Sequence, residues 1–160
     1  MSNTGFITNS AARFSQYDGN DFNVYCDETC HLEHDVAHSM ALGAVWCPKA
    51  KVSAINARIR AIKAEHGIKG QSEVKWTSPG NLQLYLDLVD YFFDDDDLCF
   101  RTLIVKDKSK LRHEDFNQTH DEWYYKMYFD MLKVIFRPTS HYYVYIDIKD
   151  THSGENARKL

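Results

Sequence analysis

The sequence has no run approaching the roughly 18 apolar residues that a membrane helix needs. Met1 to Phe22 also lacks the basic start and apolar centre of a signal peptide. There is no glycine-rich loop of the kind that cradles phosphates and no G-x-S-x-G turn, which removes support for nucleotide-kinase and serine-hydrolase readings. No internal repeat and no linker divides the chain. An overall basic excess is missing too, since the net charge of −4 argues against a generally cationic nucleic-acid binder. Cysteines are few: Cys26, Cys30, Cys47 and Cys99 suit a reducing compartment as free thiols that act as small hydrophobes. These exclusions leave one cytoplasmic domain as the expectation. Its 160 residues are enough to bury well over half of the unfolded surface. A composition of 44% hydrophobic and 26% charged residues, rich in Tyr and Phe, is globular.

Charge is unevenly spread. From Lys49 to Lys75 there are seven Lys or Arg against two Glu, a segment of about +5 that leaves about −9 elsewhere. A polyanion is expected to bind there, with Arg60, Lys63 and Lys69 as its contacts.

The order of elements follows from periodicity. Residues 1–22 are polar and aperiodic, a flexible lead-in before a domain over 23–160. Phe22 to Asp27 and Ser39 to Cys47 read as strands joined by a polar turn around His31 to Asp35, a hairpin. Pro48 opens a helix over Lys49 to His66 with a stripe at Val52, Ile55, Ile59 and Ile62, a basic outer face and Gly67 as its stop. Ser78 is expected to cap a second helix with Pro79 at its first position and a core stripe at Leu82, Leu86, Val89 and Phe93. Asp94 to Asp97 end it, because anions oppose the dipole at a helix C-terminus. Cys99 to Lys106 is a third strand. A helix over His120 to Phe136 follows, with a capping box at Thr119 and Glu122 and two stripes, Trp123/Met127/Met131/Ile135 and Tyr124/Tyr128/Leu132/Phe136. His141 to Asp147 is apolar at nearly every position, as in an interior strand covered on both faces. The expected architecture is α/β: an antiparallel meander of three strands, then a fourth strand after a helix, able to pair in parallel.

Two strands each run apolar and then end in Asp, at Asp27 and at Asp147. If they are neighbours in one sheet, both carboxylates emerge at the same edge, where ligands of open α/β sheets sit. Converging carboxylates repel unless a cation is present. Hard divalent ions take oxygen ligands, and Mg²⁺ uses one or two carboxylates with waters and a substrate phosphate. The pattern points to a Mg²⁺ or Mn²⁺ site for phosphodiester hydrolysis. In Ser72-Glu73-Val74-Lys75, alternation puts Glu73 and Lys75 on one face, one as ligand and the other beside the phosphate or attacking water. Asp150 is a weaker extra ligand. Glu28, next to Asp27, faces the other side of its strand. Each feature alone reads equally as a turn residue or a solvated edge, and it is their combination that carries the functional reading.

With "VYCDET" at the first strand, "ALGAVW" in the second, "EVK" after an intervening helix and "VYID" in the later strand, the chain from Asn23 onward resembles the domain of unknown function 3800 family. Members of that family look like RNase-H-fold proteins. The resemblance implies an RNase-H-like fold and a metal-dependent nuclease site, with Asp27, Glu73, Lys75 and Asp147 at the matching positions and DNA or RNA as substrate. It also implies further helices and a late Asp motif beyond Leu160. Either the chain is a fragment, or Asp150 or a partner subunit (a homo-oligomer included) completes the site, or the protein binds without cutting.

Three alternatives remain open at this stage. Asp27 followed by Glu73-Val74-Lys75 also resembles the restriction-type signature, in which the E-x-K lies on a strand next to the Asp. Cys26, Cys30, His31, His34 and His38 could hold a structural zinc. The chain could also be a non-catalytic interaction module with vestigial carboxylates, using exposed aromatics such as Trp46 and Trp76, while Trp123 fits the core.

Overall fold

The computed structural model describes residues 21–30, 37–76 and 80–146. Among these residues four strands and three α-helices follow one another: β1 (Asp21–Thr29), β2 (Met40–Pro48), α1 (Val52–Glu65), α2 (Leu82–Asp94), β3 (Cys99–Val105), α3 (His120–Leu132) and β4 (His141–Tyr145). Of the lead-in expected over residues 1–22, Asp21 and Phe22 belong to β1, whereas residues 1–20, the His31 to Asp35 turn, Ser78, Pro79, Asp147, Asp150 and the tail from Thr151 lie outside the described residues. Among the described residues, no helix is long and apolar enough to cross a membrane.

The sheet order is β3-β2-β1-β4. β1 pairs antiparallel with β2, and β2 with β3, which is the expected meander. β4 joins the far side of β1 in parallel, with Val24 opposite Val144 and Tyr25 opposite Tyr145. Alternation divides each strand between two faces. Phe22, Val24 and Cys26 of β1 share one face with Met40, Leu42 and Ala44 of β2, and all six are buried. α3 covers this face with Trp123, Tyr124, Tyr128, Met131 and Leu132, followed by Ile135 just beyond its end. The two stripes expected on this helix are therefore both core, apart from Phe136, which is exposed. The capping box forms as expected: the Thr119 hydroxyl accepts from Glu122 N, and Glu122 reaches back to Thr119 N at 2.8 Å.

α1 buries Ile55 and Ile62 and ends at Gly67, whose φ of +70° is the left-handed turn a helix C-terminus favours. α2 departs from expectation twice. It starts at Leu82, and Asn81 caps it by accepting from Leu84 N. The stripe expected in the core, Leu82, Leu86, Val89 and Phe93, is exposed, and Leu84 on another side of the helix is the buried residue. The reason lies in how α2 is tethered to α1. Asn81 Nδ2 must donate to His66 Nδ1 (3.1 Å), so His66 carries its proton on Nε2 and donates it to Asp87 at 2.6 Å. That network fixes the rotation of α2 about its axis and turns Leu84 inward. β4 also differs from expectation: its residues alternate between half-buried and exposed, so it is covered on one face only.

Large-to-small substitution will separate the two faces of α2. Leu84→Ala is expected to cost about 2–4 kcal/mol as a core cavity, and Leu86→Ala less than about 1 kcal/mol as a surface change. Urea midpoints of the two variants check this, and equal losses would mean that the outer stripe is packed.

Candidate functional site

β1 extends to Thr29, where it still pairs with Ala41, so Asp27 and Glu28 lie inside the strand rather than at its end. Among the described residues the extra length is held by β2, because the pairing with β4 stops at Tyr25. The pleat sends the two carboxylates apart. Glu28 turns to the α3 face and accepts from the buried Tyr128 hydroxyl at 2.5 Å. Asp27 turns to the other face and is exposed, and one of its oxygens accepts from Glu28 N at 2.9 Å. Around it stand aromatic rings. Tyr25, two residues back on the same face, stacks on Tyr145 with ring centres 5.1 Å apart. Across the ladder the partner of Asp27 is Gly43, over which the Phe100 ring lies so closely that an added Cβ would meet it at 3.4 Å.

Glu73 and Lys75 do share a side, as alternation predicts, and they pair at 3.1 Å while both remain exposed. They lie between α1 and α2, outside the sheet, which does not match the restriction-type arrangement of an E-x-K on a strand beside the Asp. Arg60 and Lys69 are exposed as expected. Lys63 is a correction. It is buried, and its ammonium donates to the carbonyls of Gly70 (2.6 Å) and Ser72 (2.5 Å), so it shapes the segment leading to Glu73 and presents no charge to a polyanion. Among the described residues, no three His, Cys, Asp or Glu side chains come together as a metal site. Asp147 and Asp150 lie outside those residues, as do His31 and His34 of the zinc alternative. Cys26 of that alternative sits in the α3 core, where burial, with the Glu28 charge as a lesser cause, pushes its thiol up to about 12 and leaves no thiolate at neutral pH.

Sequence reasoning missed the Tyr128 link to Glu28, although the phenols Tyr124 and Tyr128 in a core stripe were the available signal, since a buried phenol needs an acceptor. It also missed a cleft of about 540 Å³ beside α3, lined by Leu111, His113, Phe116, Trp123, Met127 and Phe129 among others. That cleft includes none of the candidate site residues chosen from sequence, although Trp123 and Met127 were expected in the core.

The buried acids set the pH response. Burial raises Tyr128 and Tyr124 far above the ordinary 10.0 of a phenol, with Glu28 contributing to both, and raises Cys26 to about 12 and Cys47 to about 11 from 9.0. Each group keeps its proton to higher pH when folded than when unfolded, so its contribution is intact below the unfolded value and is lost as pH rises through the folded one. Stability is expected to hold to about pH 9 and then to fall with rising pH. Urea unfolding between pH 7 and 11 measures this, and Tyr128→Phe should lower stability at neutral pH by about 1.5–3 kcal/mol and flatten the alkaline decline. A pH-independent midpoint would contradict this account.

No protein-family model, no curated protein and no solved structure matches this chain, so a functional reading has to come from its own residues.

Proposed function

We propose that the chain is a metal-dependent nuclease domain of RNase-H-like fold that hydrolyses phosphodiester bonds of DNA or RNA in the cytoplasm. The observation that carries the reading is the parallel pairing of β1 with β4, Tyr25 opposite Tyr145. In sequence, Asp27 stands two residues after the first and Asp147 two residues after the second. Neighbouring parallel strands that each continue into an Asp are the arrangement from which two carboxylates can share one cation at a sheet edge. The antiparallel meander followed by a parallel fourth strand supports the RNase-H-like assignment.

Asp27 and Asp147 are the proposed holders of Mg²⁺ or Mn²⁺, with Glu73 as third ligand or water-orienting base and Asp150 or a partner subunit completing the set. Asp27 fits such a role because it is exposed, and a single hydrogen bond to its carboxylate among the described residues, from Glu28 N, leaves lone pairs for a cation. When bound, the cation would supply an activated water and stabilisation of the leaving oxygen. Lys75 offers its ammonium to the phosphate once substrate competes with Glu73, which an exposed ion pair allows at small cost. Arg60 and Lys69 extend the cationic track for the backbone. Tyr25, stacked on Tyr145, gives bases an aromatic surface to rest on beside the carboxylate.

Calorimetry with Mg²⁺ and Mn²⁺ on the wild type and on Asp27→Asn/Asp147→Asn tests the site, followed by cleavage of labelled single- and double-stranded DNA and RNA. The expected result is divalent binding weakened at least tenfold in the double variant, with cleavage lost in parallel. Absence of divalent binding by the wild type would overturn the reading and leave both Asp residues as structural.

A further inference from the structure

The spacing of Leu82, Leu86, Val89 and Phe93, in steps of four, three and four, is that of a helix seam made to meet another helix. In this fold the seam faces outward: the four side chains are 57, 46, 50 and 75% exposed. It does not stand alone. Phe93 meets Phe92 edge to face at 5.3 Å, Phe92 meets Phe100 at 6.4 Å, and Ile104 follows Phe100 on the same face of β3, with Phe100 and Ile104 both more than half exposed. Taking about 200 Å² for a fully exposed aromatic side chain and roughly three quarters of that for Leu, Ile and Val, the six present roughly 500–600 Å² of apolar surface. The largest apolar patch of a typical monomer is about 300–600 Å², and one side of a standard interface is about 800 Å². The surface lies at the upper end of the first range, where such patches are often binding faces.

Its borders say what kind of partner fits. At 3.6 residues per turn, Asp90 and Asp94 run along one edge of the seam, while Tyr85 and Phe92 run along the other. Both Asp are exposed, and α2 carries no basic residue in its last turn to offset them. A second copy is poorly suited. An antiparallel two-fold pair would bring both Asp90/Asp94 edges to the same side, where four carboxylates repel. A parallel pair would press each acidic edge against the other copy's Tyr85/Phe92 edge, desolvating carboxylates without partners. We propose that α2 and the outer face of β3 form the docking surface for an amphipathic helix of another protein. That helix would carry large apolar anchors at i, i+3/i+4 and i+7 and Lys or Arg along the edge that meets Asp90 and Asp94.

The test uses two labelled synthetic helical peptides with the same Leu anchors, one edged with Lys and the other with Glu, titrated by fluorescence anisotropy against the full chain. Sedimentation velocity of the protein alone accompanies the titration. The Lys-edged peptide is expected to bind at least tenfold more tightly, to lose binding in Leu86→Asp, and to yield its advantage to the Glu-edged peptide in Asp90→Lys/Asp94→Lys. The double charge reversal alters only surface residues, so it decides the matter even if Leu86→Asp fails to fold. No binding, or no preference between the edges, would overturn the proposal. So would a wild-type dimer that the Leu86 substitution dissolves, since the occupant would then be a second copy.

Discussion

The packing of α3 on one face of the sheet is the contact on which the other elements depend. Tyr128 and Met131 are fully buried there with Val24, Met40 and Leu42, and among the described residues no other element covers that face with comparable apolar volume. The same helix determines the topology. It lies between β3 at one edge and β4 at the other, so it carries the chain across the meander and delivers β4 next to β1 in the parallel sense. A parallel pair requires a crossover of this kind, because a tight turn cannot reverse the chain twice. Tyr128 joins the core to the far end of β1, since its hydroxyl holds Glu28 and thereby the part of the strand that extends beyond its pairing with β4.

The open face owes its character to that one-sidedness. With the apolar content of β1 and β2 directed under α3, the opposite face carries Tyr25, Asp27, Phe100, Ile104, Tyr143 and Tyr145, all exposed. Asp27 and Glu28 are adjacent in sequence and have opposite environments: one meets a buried phenol and the other meets water. The pleat alone makes the difference. Lys63 is a parallel case on a helix. Its position suggests a solvated outer face, yet the carbonyls of Gly70 and Ser72, left without strand or helix partners, draw the ammonium inward.

What was legible in the sequence divides along physical lines. Alternation and helical spacing placed the four strands and three helices of the described residues, and the Thr119/Glu122 capping box was readable because both of its bonds are local. The parallel neighbourhood of the strands leading to Asp27 and Asp147 was also legible, from the helix between β3 and β4. The rotation of α2 was not. Leu82, Leu86, Val89 and Phe93 on one side, and Leu84, Leu88 and Tyr91 on another, are both apolar sets, and periodicity cannot rank two stripes on one helix. The His66, Asn81 and Asp87 contacts that choose between them link residues up to 21 apart. The end of β1 was misjudged for a related reason. Two carboxylates read as a stop, but on an open face a charged side chain costs a strand nothing, and β2 supplies pairing as far as Thr29.

The two proposed surfaces meet at Phe100. Its ring lies over Gly43 beside Asp27, and through Phe92 it continues the apolar seam of α2. A helix seated on that seam would cover the outer side of Phe100 and convert an open flank of Asp27 into an enclosed one. Enclosure lowers the local dielectric, which makes a lone carboxylate more costly and its attraction to a cation stronger. Docking at α2 and cation binding at Asp27 would therefore favour each other. By linkage the coupling would run equally in both directions, with the Phe92–Phe100 contact as the physical link between the two proposed sites.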